Sequence, residues 1–266
     1  MDLYGKFHSL INGVSSIDTV LSIGKSGGEE LPMHNESDID VFVFCSQIPS
    51  ADVRQAALGE LGFTAAEMKI SEIADRFWGV CDYIAIGTAE ICLMYFTISD
   101  MDAEIKSTLS GERPDREGEY FYPTGRCATF LSMHILHDKI GYIADMKEKL
   151  SGYPPSLAKK LYNHHILEIN DNEDFERAVQ RGDVLFYHAT LERAIDHFLQ
   201  ALFALNKCFF PSRKRTFSLA EGFKHKPINF EARLLNAIEL GAKAETLSKS
   251  YEIWSALCKD LTGEKT

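Results

Sequence analysis

The chain has 266 residues, of which 45% are hydrophobic and 25% charged, values typical of a soluble globular protein with one large or two ordinary domains. Its formal net charge of -11 argues against a nucleic-acid partner, because proteins that bind the phosphate backbone carry clustered Lys and Arg. No basic segment leads into an apolar run at the N-terminus, and no uncharged run approaches ~18 residues, so we expect a cytoplasmic protein without membrane contact.

The N-terminal half is predicted to contain a sheet flanked by helices. Helical spacing of apolar residues predicts a short helix that begins near Leu3. Short apolar runs rich in β-branched and aromatic residues predict buried strands at Val20–Ile23, Ile39–Phe44, Tyr83–Ile86 and Ile91–Thr97. Turn signals and periodicity predict further helices at 51–61 and 100–110.

The C-terminal half is predicted to be helical. Beyond the loop-like segment 111–119, helical periodicity recurs at 127–150, 155–169, 175–209, 230–240 and 244–261. We therefore predict an α+β fold, in which a mixed sheet flanked by helices occupies residues 1–118. A helical bundle is expected to follow in residues 119–266.

Chemistry-bearing residues are concentrated between the first two predicted strands. Gly24, Ser26 and Gly27 lie in a glycine-rich turn, and Asp38 and Asp40 open the second strand. Successive strand side chains point to opposite faces, so the two carboxylates share one face. Such a pair attracts a cation, and Mg²⁺ accepts an incomplete set of oxygen ligands when phosphates supply the rest. Since glycines let backbone N–H groups approach an anion, we expect Mg²⁺ and a nucleoside triphosphate here.

The turn and the Ser37-Asp38-Ile39-Asp40 strand opening together resemble the nucleotidyltransferases of the DNA polymerase beta superfamily. Within it the chain resembles the bacterial antibiotic nucleotidyltransferases, acting on aminoglycosides or lincosamides, which have a helical C-terminal domain. The turn is Gly-Lys-Ser rather than the commoner Gly-Gly-Ser or Gly-Ser, which leaves its alignment open between Ser26 and Gly27. The resemblance implies that the nucleotide is bound by Gly24, Ser26, Gly27 and Ser37.

A third carboxylate and a cation complete the expected site. Superfamily members commonly place a third acidic residue on a later strand, and this chain offers Glu90 or Asp82. We prefer Glu90, because it directly precedes an apolar run as Asp40 does; it would bind metal or act as general base. In the second half, the basic run around Lys214 is either a cation source for the triphosphate or a solvated loop, and Lys214 is the favoured contact.

The resemblance implies Mg²⁺-dependent transfer of a nucleoside monophosphate to a hydroxyl of a small molecule, with release of pyrophosphate. A two-metal site formed by Asp38, Asp40 and Glu90 is expected, with ATP as the co-substrate. Asp138 and Asp183 are the expected acceptor-binding residues, and an acidic protein suits a cationic antibiotic. A homodimer is a further expectation. Two alternatives stay open: a protein or RNA acceptor in a toxin-antitoxin-like system, and a nucleotide-binding relative without turnover.

Two other patterns in the second half are less favoured. His134, His137 and Asp138 fall within one predicted helix, but we find no further spaced ligands that would complete a metal site. The spacing of Arg181 and His188 resembles that of helical ribonucleases partnered with minimal nucleotidyltransferases, but the glycine after Arg181 indicates a bend or helix start.

Overall fold

The computed structural model describes residues 3–27, 31, 38–118, 121–169 and 172–263. The chain forms two compact units. The first comprises Met1–Ser107 and Arg126–Gly152, and the second comprises Thr108–Gly125 and Tyr153–Thr266. The boundary that we placed after residue 118 therefore falls inside the second unit, and the segment from Arg126 to Gly152 returns to the first.

The first unit is built on a mixed β-sheet, as the sequence predicts. Its elements and the helices at its borders are α1 (Leu3–Ser15), β1 (Val20–Lys25), β2 (Ile39–Cys45), α2 (Ala51–Glu60), β3 (Met68–Asp75), β4 (Gly79–Ile86), β5 (Ala89–Thr97), α3 (Ile98–Ser110), α4 (Gly125–Ser132), β6 (His134–Asp138) and α5 (Tyr142–Leu150). The described strands pair in the order β3-β4-β5-β2-β1-β6. The β2–β5 pair is parallel, and the other pairs are antiparallel.

Alternation along β2 sends its residues into two different cores. Val41 and Val43 pack with Phe7 and other apolar residues of α1 on one face. On the opposite face, the Phe44 ring lies 5.2 Å from the rings of Phe130 in α4 and Tyr142 in α5. The sheet is therefore covered on both faces, which explains why β2 is an almost continuous apolar run.

Two strands differ from the sequence-based prediction. Residues His134–Asp138 form β6, an edge strand paired with β1. Our prediction of a helix over 127–150 is therefore wrong for these residues. The segment is five residues long, too short for its periodicity to distinguish strand from helix, and pairing with β1 decides its conformation. β3 was not predicted, because its register shifts between Lys69 and Ile73, around Ser71 with φ of 58°, and interrupts the alternation.

The second unit is helical in its described part, as predicted. Its helices are α6 (Pro155–Ile169), α7 (Glu173–Arg181), α8 (Val184–Leu205), α9 (Thr216–Leu219), α10 (Phe230–Leu240), a 3₁₀ turn (Ala244–Thr246) and α11 (Leu247–Thr262). Phe203 and Trp254 are fully buried in its core. The segment 175–209, over which helical periodicity recurs in the sequence, divides at Gly182, which ends α7 with φ of 64°. Across the described ranges, no helix is long and apolar enough to cross a membrane.

Candidate functional site

The two aspartates of the Asp-Ile-Asp stretch lie where β2 begins, beside the end of β1. Asp38 is exposed and directly precedes the strand, and Asp40 is partly buried within it. The backbone N–H of Ser26 donates to the Asp40 carbonyl at 3.0 Å. The Ser26 hydroxyl also donates to the Asp40 carboxylate, at 3.4 Å. The structure thus brings together the Ser26 turn and the Asp40 carboxylate, as the sequence suggests.

The register of the sheet determines which other carboxylate shares the face of Asp40. Asp40 is paired with Cys92 on the parallel strand β5, so their side chains point the same way. A hydrogen bond with Cys81 and burial raise the pKa of the Cys92 thiol, and the negative charge of Asp40 raises it further. Glu90 lies two residues before Cys92 and therefore shares this face, where it is exposed. Asp40 and Glu90 accordingly lie on one face of the sheet, and Asp38 directly precedes the strand that contains Asp40.

Asp82, the alternative third carboxylate, lies on the opposite face. It pairs with Leu93 of β5, whose side chain packs in the core beneath α1. Asp82 is completely buried, and its carboxylate accepts hydrogen bonds from Arg54 Nε at 2.7 Å and Nη2 at 3.1 Å, and from the Ser71 N–H at 2.8 Å. Asp82 thus belongs to a buried ion pair, and of the two candidates Glu90 is the one that shares the sheet face of Asp40.

The predicted nucleotide-binding turn divides into residues with different environments. Gly24 is buried within β1, and a Cβ at this position would lie 2.2 Å from Met133 Sδ, so the absence of a side chain has a packing reason. Gly27 has φ of 77°, and no atom of the described part of the chain lies within 4 Å of a Cβ built there, which is compatible with close approach of a ligand. Ser37 lies outside the described residues, so its predicted role stays a prediction.

The two aspartates that we assigned to the acceptor both cap helices. The Asp138 carboxylate accepts a hydrogen bond from the Ser22 hydroxyl and bonds from the N–H groups of Ile143 and Ala144, in the first turn of α5. Asp183 is the N-cap of α8 and accepts a hydrogen bond from the Phe186 N–H at 3.0 Å. These bonds give each aspartate a local structural role, Asp138 in the first unit and Asp183 in the second.

The basic run of the second unit contains one cation in ion pairs, Arg213, and two exposed cations, Lys214 and Arg215. Arg213 forms ion pairs with Asp196 and Glu192. Lys214 is exposed, and its backbone N–H donates to the Ser212 hydroxyl. A contact between the Lys214 ammonium and a triphosphate stays a prediction.

The remaining sequence patterns do not form the sites that they resemble. His134 and His137 lie on β6, paired with Lys25 and Ile23, so the predicted helical arrangement of these imidazoles is wrong. Arg181 ends α7 and His188 lies in α8, which confirms the predicted break in the helix between them.

A cluster that we did not predict lies in the second unit. One potential ligand atom from each of Asp115, His164, His165 and His197 lies within 4.8 Å of all the others. Burial lowers the pKa of His165 to about 3, with further lowering by the charges of His197 and His164. Burial also lowers the pKa of His197. Only the adjacent pair in α6 was visible in the sequence, because the loop residue and the α8 residue are distant along the chain.

The start of β2 and the histidine cluster offer chemically different donor atoms to a metal ion. At β2 the carboxylates supply hard oxygen atoms with solvent on one side, which fits the Mg²⁺ that the resemblance implies. Such a set binds metal and phosphate together, whereas imidazole donors suit transition metals.

Comparison with known proteins gives similarities of two kinds, one to a family model and one to solved structures. Residues 122–215 match the family model of a domain of unknown function, DUF4037. Among solved structures, the chain is similar to a nucleotidyltransferase-like protein from Exiguobacterium sibiricum 255-15, with 8% sequence identity over 98% of this chain and 75% of that chain, and a TM-score of 0.45. No curated protein matches the chain. Neither similarity assigns an activity to it.

Proposed function

We propose that the protein is a Mg²⁺-dependent nucleotidyltransferase that transfers a nucleoside monophosphate, with ATP as the expected donor, to a hydroxyl group of a small molecule. The observation that carries the proposal is the start of β2, where the Asp40 carboxylate accepts a hydrogen bond from the Ser26 hydroxyl and shares a sheet face with Glu90, and where Asp38 directly precedes the strand. The sequence resemblance independently assigns metal binding to the same aspartates.

The three carboxylates would hold the metal, and each has an environment that suits this role. Asp38 and Glu90 are exposed, so their oxygens are open to a solvated cation. Asp40 is partly buried and oriented by the Ser26 hydroxyl, which keeps one carboxylate in a defined position. Bound Mg²⁺ would neutralise the charge that develops on the phosphate oxygens during transfer.

The reaction requires the acceptor oxygen to attack the α-phosphorus as the bond between the α- and β-phosphates breaks. Pyrophosphate carries away the electron pair of that bond, and the acceptor hydroxyl loses its proton. Glu90 is the candidate general base because it is exposed on the same face as Asp40. In this proposal the Ser26 hydroxyl, which lies beside the Asp40 carboxylate, and the backbone at Gly27 would contact phosphate oxygens.

The class of acceptor is inferred from charge. A net charge of -11 favours a cationic small molecule, and aminoglycosides are the first class that we would test, with lincosamides as the second. A strongly anionic acceptor would be repelled by the same field.

The experiment is a pyrophosphate-release assay with each of the four ribonucleoside triphosphates, with and without Mg²⁺, across aminoglycoside and lincosamide acceptors. We expect release that depends on Mg²⁺ and on one acceptor class, and its loss by at least ~1,000-fold in Asp40→Asn. Asp18→Asn, a change at an exposed residue before β1, is the matched control and should keep full activity.

Two results would contradict the proposal. Equal release by wild type and Asp40→Asn would remove the aspartate pair from the chemistry. Nucleotide binding without release for small molecules, proteins and RNA alike would indicate a protein that binds nucleotide without turnover.

A further inference from the structure

We propose that the second unit contains a separate site for one divalent transition-metal ion, of the zinc type, formed by Asp115, His164, His165 and His197. The donors come from three segments, namely the loop after α3, helix α6 and helix α8. This site is independent of the proposed nucleotidyl transfer and of the carboxylates at β2.

The distances among the donors are close to those of a coordination sphere. His164 Nε2 lies 2.7 Å from Asp115 Oδ1, and the Nδ1 atoms of His165 and His197 lie 3.0 Å apart. Four ligands at ~2.0–2.1 Å from a tetrahedral ion stand about 3.3 Å from one another. Since all four donor atoms lie within 4.8 Å of one another, small side-chain movements are enough to close them around an ion.

His165 places a donor nitrogen inside the protein. Its side chain is 0% exposed, and its Nδ1 lies 3.0 Å from Nδ1 of His197. Two neutral imidazoles in this arrangement have only one proton between the facing nitrogens, so one of these nitrogens has a lone pair directed at the other ring. A metal ion that replaces this proton would bind the lone pairs of both nitrogens.

The surrounding contacts hold the donors in place. Arg116, the neighbour of Asp115, forms an ion pair with Asp196, the neighbour of His197, at 2.7 Å. Asp196 is buried and also accepts a hydrogen bond from the Tyr122 hydroxyl. This paired arrangement fixes the loop against α8, so Asp115 and His197 are brought together before any metal binds.

The donor set selects the class of metal. Three imidazole nitrogens and one carboxylate oxygen suit Zn²⁺, Co²⁺, Ni²⁺ or Fe²⁺, whereas Mg²⁺ and Ca²⁺ prefer oxygen ligands throughout. Asp115 is exposed and His164 only partly buried, so an ion could enter from solvent. The bound ion would then fasten the loop that contains Asp115 onto α6 and α8.

The test uses the full chain after treatment with EDTA, titrated with Zn²⁺ against a chromophoric chelator. We expect one bound Zn²⁺ per chain, affinity about 100-fold weaker in His197→Gln, and affinity at least ~10-fold weaker in Asp115→Asn. Because Asp115 is exposed, the second variant should fold normally, and circular dichroism of both variants verifies this. Cobalt should give visible ligand-field bands in wild type that His197→Gln loses.

Two matched controls separate this site from the rest of the chain. His188→Gln changes another histidine of α8, and Asp40→Asn changes the carboxylate pair of β2; both should bind Zn²⁺ like wild type. Zinc affinity that is equal in wild type, Asp115→Asn and His197→Gln would overturn the proposal, as would a bound zinc that only Asp40→Asn removes. Neither outcome would affect the assay for nucleotidyl transfer.

Discussion

Two aspartates on strands of the same sheet have contrasting surroundings. Asp40 is partly exposed at the start of β2, beside a hydroxyl, whereas Asp82 is fully buried opposite Arg54. Both precede or interrupt apolar runs in the sequence, and only the pairing of β4 with β5 reveals that they point to opposite faces. The side on which a carboxylate lies therefore decides whether it is accessible, as the proposed chemistry requires of Asp40, or is held in a buried ion pair.

The buried pair gives a stability prediction. Asp82→Ala would leave the Arg54 guanidinium, whose side chain is 3% exposed, without its counter-ion, and we expect a loss of about 3–5 kcal/mol in the free energy of unfolding. The double change Arg54→Met with Asp82→Ala should cost less than the sum of the single changes, because no charge is left buried. Urea denaturation measures all three variants.

The same variants discriminate between structural and catalytic roles. Per folded molecule, Asp82→Ala should retain pyrophosphate release, because its side chain lies on the face away from Asp40. Additive destabilisation in the double variant, or a specific loss of activity in folded Asp82→Ala, would contradict this assignment.

At the scale of the element, side chains pack so closely against β1 that no space is left for a side chain at Gly24. We expect Gly24→Ala to lower the free energy of unfolding by about 1–3 kcal/mol, since a Cβ would meet Met133 Sδ at 2.2 Å and Ile143 Cδ1 at 3.1 Å. In a Met133→Ala background the cost should shrink, because the closest contact has been removed. Thermal unfolding of wild type, the two single variants and the double variant measures the interaction energy between the two positions.

Gly59→Ala provides the contrasting control. Gly59 lies in α2, and among the described residues no atom outside the helix's own backbone comes within 4 Å of a Cβ built there. Alanine should stabilise the helix at this position by up to ~1 kcal/mol. If Gly24→Ala proved as harmless as Gly59→Ala, the packing explanation for Gly24 would be wrong.

Elements with long apolar runs could be predicted from the sequence, and elements defined by pairing could not. β2 and β5 are apolar on both faces, so their runs are unmistakable. The register shift at Ser71 interrupts the alternation of β3, so its sequence does not indicate a strand. β6 is a five-residue edge strand whose conformation depends on its pairing with β1. Asp38 and Asp40 are two residues apart at the start of β2, so their proximity could be predicted from the sequence, whereas His165 and His197 meet only through the packing of α6 and α8.

At the scale of the whole molecule, the chain leaves the first unit and returns to it. β6 completes the sheet at the β1 edge, and Phe130 and Tyr142 cover the Phe44 face of β2. A fragment that stops at residue 118 lacks all three contributions. It would expose an unpaired strand edge and an aromatic sheet face.

We therefore predict that residues 1–152 unfold cooperatively in urea, whereas residues 1–118 do not and aggregate instead. The first fragment contains both segments of the first unit, and the second lacks the segment from Arg126 to Gly152. Near-ultraviolet circular dichroism and urea titration would compare the two. Cooperative unfolding of residues 1–118 with the same midpoint would show that the returning segment is dispensable.

The central claim is that the Asp pair of β2 binds a metal together with a nucleoside triphosphate. The measurement that tests it most directly is calorimetric titration with a non-hydrolysable ATP analogue, with and without Mg²⁺, because it does not require the acceptor. We predict that Mg²⁺ strengthens nucleotide binding to wild type and to Asp18→Asn by at least ~10-fold, and that Asp40→Asn loses this increase. Nucleotide binding that is indifferent to Mg²⁺, or unchanged in Asp40→Asn, would contradict the account.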